Sequence, residues 1–146
     1  MEHAIAQAEL AFEQNEVPVG AIVVKDKKII GKGFNQVIKK NSVASHAEIN
    51  AISYAGENLQ NYRLNNCDLY VTLEPCHMCA KAIVDARINR VFFGANEPKT
   101  GAIESIDQFF DREDLNHDVT YYGGILAEQS SKLLKNFFKT RRAKKI

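Results

Sequence analysis

Two short motifs hold the residues best suited to chemistry: His46-Ala47-Glu48 and Pro75-Cys76-His77-Met78-Cys79. One imidazole and two thiols make three good zinc ligands. A three-ligand set leaves the fourth tetrahedral position for water, as catalytic zinc requires, whereas a closed structural site would want a fourth protein ligand. Cys76 and Cys79 stand at i and i+3, so on a helix their sulfurs share one face. His46 and Glu48 are two residues apart, about 200° around a helix. They reach one metal together only from a helix N-terminus, where the first residues surround the end of the axis. The spacing therefore predicts two helix N-termini aimed at one ion, their positive ends favouring thiolates and a metal-bound hydroxide. Zinc lowers the pKa of its bound water to about 7. Glu48 is then the carboxylate that takes the proton and passes it on. Keeping Glu48 neutral for part of the cycle needs a raised pKa, which burial supplies.

Each motif alone is weak. Cys-x-x-Cys also serves redox and structural sites, and many helix starts tolerate His-x-Glu. His77 is a second imidazole able to replace His46, although its place between the cysteines directs it away. Cys67 heads an apolar strand and reads as core, while His3 and His117 read as surface residues. The combination carries the reading. Both motifs open predicted helices, 30 residues apart, and a strand leads into the second.

The elements that position these residues follow from pattern. Residues 2–15 fit a helix with Ile5, Leu10 and Phe12, and small alanines between them, on its buried face, ended by Pro18 and Gly20. Residues 20–24 and 28–34 read as a hairpin around Asp26-Lys27-Lys28. Gly31 and Gly33 would weaken that second strand unless another backbone or a ligand approaches closely. A polar loop spans 35–44, and Ser45 is the expected N-cap of a helix reaching about residue 57. Strand 67–73, helix 76–86 and strand 90–93 come next. A loop spans 96–103, then a short helix 104–110, a short strand 119–121 and a long helix 124–142. This alternation predicts an α/β sandwich with helices on both faces of the sheet. The early hairpin makes the sheet mixed.

The chain has 146 residues, 25% charged and 45% hydrophobic. That is globular composition with enough length for a core, and it argues against disorder. No repeat or linker interrupts it, so residues 1–146 are expected to form a single domain. No stretch approaches the ~20 apolar residues of a membrane helix, and the acidic, amphipathic start lacks the features of a signal peptide. The expected location is cytoplasmic, without membrane contact. Three cysteines, an odd count, argue against a disulfide scaffold. From Lys132 onward there are seven basic and no acidic residues. That leaves twelve basic residues against eighteen acidic ones elsewhere, a net of −6. Such a tail can bind phosphates, or simply end a solvated helix.

The His-x-Glu and Pro-Cys-x-x-Cys pair resembles the zinc-dependent nucleoside and nucleobase deaminases. Closer still, and over nearly the whole chain, the sequence is similar to the bacterial tRNA-specific adenosine deaminases of the TadA type. The segments that carry the likeness include Val17–Val24, Gly31–Asn35, His46–Glu48, Asn61–Arg63, Tyr70–Cys76, Phe93–Ala95, Lys99-Thr100-Gly101 and Gly123–Leu126. The ending Leu134–Arg142 resembles that family's C-terminal helix. The resemblance implies a cytidine-deaminase-like three-layer sandwich on a mixed five-stranded sheet. It implies one zinc ion per subunit on His46, Cys76 and Cys79, with Glu48 as catalytic proton shuttle. Zinc-bound hydroxide would attack the ring carbon bearing the exocyclic amine, and ammonia would leave. The implied substrate is the wobble adenosine in the anticodon stem-loop of an arginine tRNA, converted to inosine. Asn35 would hydrogen-bond the flipped nucleotide, and Val19, Leu73 and the backbone around Ala47 would wall its base. Lys99, Phe138, Arg141 and Arg142 would hold neighbouring nucleotides. A homodimer is implied as well. Glu97-Pro98 stands where the pattern often has an aspartate, and His77 and Lys81 stand where small or apolar residues are common.

Three competing readings remain at this level. A deaminase of a free base or nucleoside such as guanine or cytosine would use the same core without the basic tail. A zinc-stabilised RNA-binding module would lack Glu48 or carry a fourth ligand. A redox protein would leave His46 and Glu48 unexplained.

Overall fold

In a computed structural model, residues 1–144 are described; Lys145 of the basic tail and Ile146 lie outside them. The order is α1 (Glu2–Glu13), β1 (Gly20–Lys25), β2 (Lys28–Phe34), α2 (Ala47–Leu59), β3 (Asp68–Leu73), α3 (His77–Asp85), β4 (Arg90–Ala95), β5 (Thr120–Tyr122) and α4 (Ala127–Lys144). The strands form one mixed sheet in the order β2-β1-β3-β4-β5. β1 runs antiparallel to β2 and β3, while β3, β4 and β5 are parallel. The hairpin turns on Asp26 and Lys27, both at positive φ, as a two-residue primed turn demands.

Successive residues of a strand point to opposite faces, and glycines show what covers each. A Cβ on Gly20 would collide with Ala4 and Ala8 of α1, and one on Gly33 with Ala47 and Ala51 of α2. α1 and α4 therefore cover one face, and α2 and α3 the other. The expected three-layer α/β sandwich is the observed architecture. Gly31 and Gly33 are the price of seating the α2 backbone directly on β2. The main core lies between the sheet and α2–α3, with Val23, Leu69, Val71, Val91, Phe93 and Ile83 buried.

Several local expectations differ from the structure. In α1 the alanines Ala4, Ala8 and Ala11 join Ile5 in the contact as expected, but Leu10 faces solvent. Close packing on β1 favours the smallest side chains. The N-cap of α2 is His46 and not Ser45, whose hydroxyl instead donates to Asn50 Oδ1 at 3.3 Å. Residues 104–110 make no regular α-helix beyond a 3-10 turn at Phe109–Asp111. The backbone N–H groups of Ile103, Glu104 and Ser105 are drawn instead to the buried Glu74 carboxylate. α4 begins at Ala127 because Gly124 and Leu126 adopt positive φ and turn the chain into it. His117 is half-buried and bonded through Nε2 to the Ile88 carbonyl at 2.7 Å, so it is no free surface group.

Candidate metal centre and substrate pocket

β3 ends at Leu73, and Pro75 stops it by removing a ladder donor. The chain turns at once into α3, with Cys76 as N-cap and Cys79 in the first turn. On the neighbouring helix, His46 is the N-cap of α2 and Glu48 lies in its first turn. The two N-termini converge as the spacing predicts. His46, Cys76 and Cys79 each offer one ligand atom, and these lie within 4.8 Å of one another. His46 Nδ1 is 3.7 Å from Cys76 Sγ and 3.5 Å from Cys79 Sγ. Such a group could hold a metal ion. Among the described residues no fourth His, Cys, Asp or Glu joins it.

The two sulfurs are partners in one hydrogen bond that shifts them in opposite directions. A hydrogen bond from the Cys79 thiol, helped by His46, holds Cys76 well below the usual thiol range. The bond to Cys76, reinforced by burial, pushes Cys79 up. The same Cys76 partnership raises His46. Glu48 is 4% exposed, and burial raises its carboxyl to about 7. Its own backbone N–H and the nearby His46 charge pull it only part of the way back.

These residues open onto a pocket of about 250 Å³ whose lining includes His46, Glu48, Cys76, Val19, Asn35 and Leu73. The Ala47 N–H donates to Asn35 Oδ1 at 2.8 Å. That bond fixes the Asn35 amide so that its Nδ2 is the end left for another partner. Two further buried carboxylates, Glu16 and Glu74, line the same pocket. Glu16 accepts from the N–H groups of Ile38 (3.1 Å) and Lys39 (2.9 Å) and ties down the loop after β2. Glu74 does the same for the loop after β4.

The chain matches the MafB19-like deaminase family over residues 1–142. It is 48% identical over 146 residues to the tRNA-specific adenosine deaminase of Haemophilus influenzae, covering 99% of this chain and 84% of that one. It is 47% identical to that of Rickettsia bellii, covering 95% and 97%. A structure from a study of A-to-I editing by tRNA:A34 deaminases at the wobble position of transfer RNA superimposes with a TM-score of 0.89. That match has 45% identity and covers 92% of this chain and 97% of that one. A guanine deaminase from Bacillus subtilis superimposes less well, with a TM-score of 0.63 at 32% identity over 97% of this chain and 90% of that one. The chain belongs to the tRNA-specific adenosine deaminases.

The remaining expected contacts of this deaminase lie outside the pocket lining. Ala47 is buried at the start of α2 and meets the site through its backbone. Lys99 is exposed on the loop whose next residue, Thr100, lines the pocket. On α4, Phe137 is buried against Phe12, while Phe138 is 45% exposed. Arg141 lies over the Phe137 ring and donates to the Asn15 carbonyl at 3.3 Å. This brings the end of α4 beside Glu16 and Val17 of the pocket rim. Arg142 is exposed. His77 is exposed and paired with Asp107 at 2.8 Å, while Lys81 pairs with Asp85 within α3. Cys67 is fully buried in the core. No helix among the described residues is long and apolar enough to cross a membrane.

Glu16, Val17, Val37, Ile38, Glu74 and Thr100 also line the pocket and carried no expected role. Val17, Glu74 and Thr100 lie inside the segments that carry the family likeness, whereas Glu16, Val37 and Ile38 have no such signal.

Proposed function

We propose that this deaminase converts adenosine to inosine at the wobble position of a tRNA anticodon, with an arginine tRNA as substrate, using zinc held by His46, Cys76 and Cys79. The observation that carries the reading is the buried Glu48 beside three soft and borderline ligands at one pocket. One nitrogen and two sulfur donors match zinc in chemistry, and three protein ligands leave one position for water. When bound there, zinc supplies a water of lowered pKa for attack on the base. Glu48 would carry two protons in turn, one from the attacking water to a ring nitrogen and a second from the added hydroxyl to the leaving amine, which departs as ammonia. Its raised pKa suits both halves of this exchange. The Asn35 amide donates to the flipped nucleotide, and Val19 and Leu73 hold the base between apolar walls. Bases of an anticodon loop can be splayed out and captured singly in this way. A pocket of about 250 Å³ lies at the small end of ligand sites. Lys99, Phe138, Arg141 and Arg142 bind the flanking nucleotides and phosphates outside it.

In the same reading, residues 1–146 are one deaminase domain, acting as a cytoplasmic homodimer with one zinc per subunit. The test is incubation of the zinc-loaded protein with an arginine anticodon stem-loop carrying a wobble adenosine. Inosine reads as guanosine after reverse transcription. Conversion by the wild type but not by Glu48→Ala is the expected result. No conversion by a folded, metal-bound protein would overturn the RNA substrate in favour of a free base such as guanine or cytosine.

A further inference from the structure

Glu74 is 3% exposed, yet it is not a spare core charge. Its carboxylate collects donors from one loop only. The backbone N–H groups of Glu97 (3.0 Å), Ile103 (3.1 Å), Glu104 (2.7 Å) and Ser105 (2.9 Å) all point to it. Asn96 Nδ2 at 3.2 Å and the Ser105 hydroxyl complete the shell. Four of the six donors are main-chain groups spread over nine residues, so what the carboxylate fixes is the path of the loop. Gly101 lets the loop come this close. A Cβ there would collide with the carboxylate carbon and both oxygens of Glu74. The Ala102 N–H, bonded to the Pro75 carbonyl at 2.9 Å, ties the same loop to the residue before Cys76. Between the two ends of this anchorage sit Lys99 and Thr100. Both are exposed, and Thr100 lines the pocket together with Glu74.

We propose that Glu74 and Gly101 are a positioning pair that holds the 96–105 loop at the pocket mouth, and thereby seat the nucleotides flanking the reacting base. The hydrogen-bond donors on the Glu74 carboxylate belong to residues 96–105, not to His46, Cys76 or Cys79. The pair acts on the substrate through Lys99 and Thr100. This rests on the tRNA reading above, because only a substrate with nucleotides beyond the base reaches Lys99 outside the pocket. Buried carboxylates that receive several N–H groups make rigid anchors, since each charge-assisted bond is about twice as strong as a neutral one.

Glu74→Gln removes the charge and turns a donor toward donors. Gly101→Ala pushes the loop off from the other side. Steady-state kinetics on the anticodon stem-loop, zinc content per chain and amide exchange by mass spectrometry test both variants against the wild type. The expected result is a KM raised at least tenfold, a kcat lowered less than threefold, and unchanged zinc. Exchange should quicken in the peptide covering 96–105 and not in α3. Unchanged exchange in that peptide would overturn the anchoring. Faster exchange there with KM unaltered would overturn its role in seating substrate. Loss of zinc with kcat falling and α3 loosening would assign Glu74 to the metal corner and overturn the proposal. A wild type inactive on the stem-loop would overturn the substrate reading, and the exchange data would still decide whether Glu74 anchors the loop.

Discussion

Glu48 and Glu74 stand on two sides of one pocket, 4% and 3% exposed, with the same side chain. Their environments drive them apart. Burial lifts Glu48 to about 7, because little around it replaces lost water. At Glu74 burial pushes in the same direction, but the Ser105 hydroxyl and the N–H groups of Glu104, Ser105 and Glu97 outweigh it and hold the carboxyl at about 2. A buried acid with few donors is poised to exchange a proton near neutral pH, and one with a full shell stays ionised and suits an anchor. Burial alone assigns neither role. The surrounding hydrogen-bond donors do.

The contrast can be broken or sharpened in several ways. The largest expected effect is on the centre that Glu48 serves. Removing metal with a chelator should abolish deamination, and zinc should restore it, as followed by inosine formation and metal analysis. Glu48→Gln should lower kcat by about 10²–10⁴, the usual worth of a general acid–base group, with zinc content and KM little changed.

Stability should separate the two acids by sign. Glu74→Gln should cost about 2–4 kcal/mol in denaturant unfolding at pH 7, because it breaks a charged, satisfied cluster. Glu48→Gln should raise the stability of the metal-free protein at pH 8 by about 1–3 kcal/mol, since it removes a buried charge. The pH windows differ as well. The folded pKa of Glu74 lies below its ordinary 4.5, so its contribution is full above 4.5 and is lost as pH falls toward 2. The folded pKa of Glu48 lies above 4.5, so its cost is absent below that value and grows until about pH 7. Thermal melts of the metal-free variants across this range check both. The smallest effects belong to the periphery. Lys99→Ala and Arg142→Ala should each weaken stem-loop binding by about two- to fivefold at low salt, less as salt rises.

The His46–Cys76–Cys79 cluster was legible because each half is a local pattern. His46 and Glu48 lie two residues apart, Cys76 and Cys79 three, and both pairs open a helix. The mixed sheet and the two helical layers were equally readable, since hairpin and strand–helix alternation are periodic signals, whereas the strand order came only with the structure. The rims were not. Glu74 meets partners 22 to 31 positions away, and Glu16 meets partners 22 and 23 away. No spacing rule reports such contacts. The helix expected over 104–110 does not form for the same reason, because its leading amides answer the carboxylate of Glu74. His117 read as surface for a like reason, since the Ile88 carbonyl that holds it lies 29 residues away.

The most direct test is single-turnover deamination of the arginine anticodon stem-loop by zinc-loaded wild type and Glu48→Gln, with binding measured in parallel. The expected result is equal binding and a chemical rate lost by at least about a hundredfold in the variant. Equal rates in both zinc-loaded proteins would contradict the assignment of Glu48 as the proton carrier and, with it, the meaning given to the two buried acids.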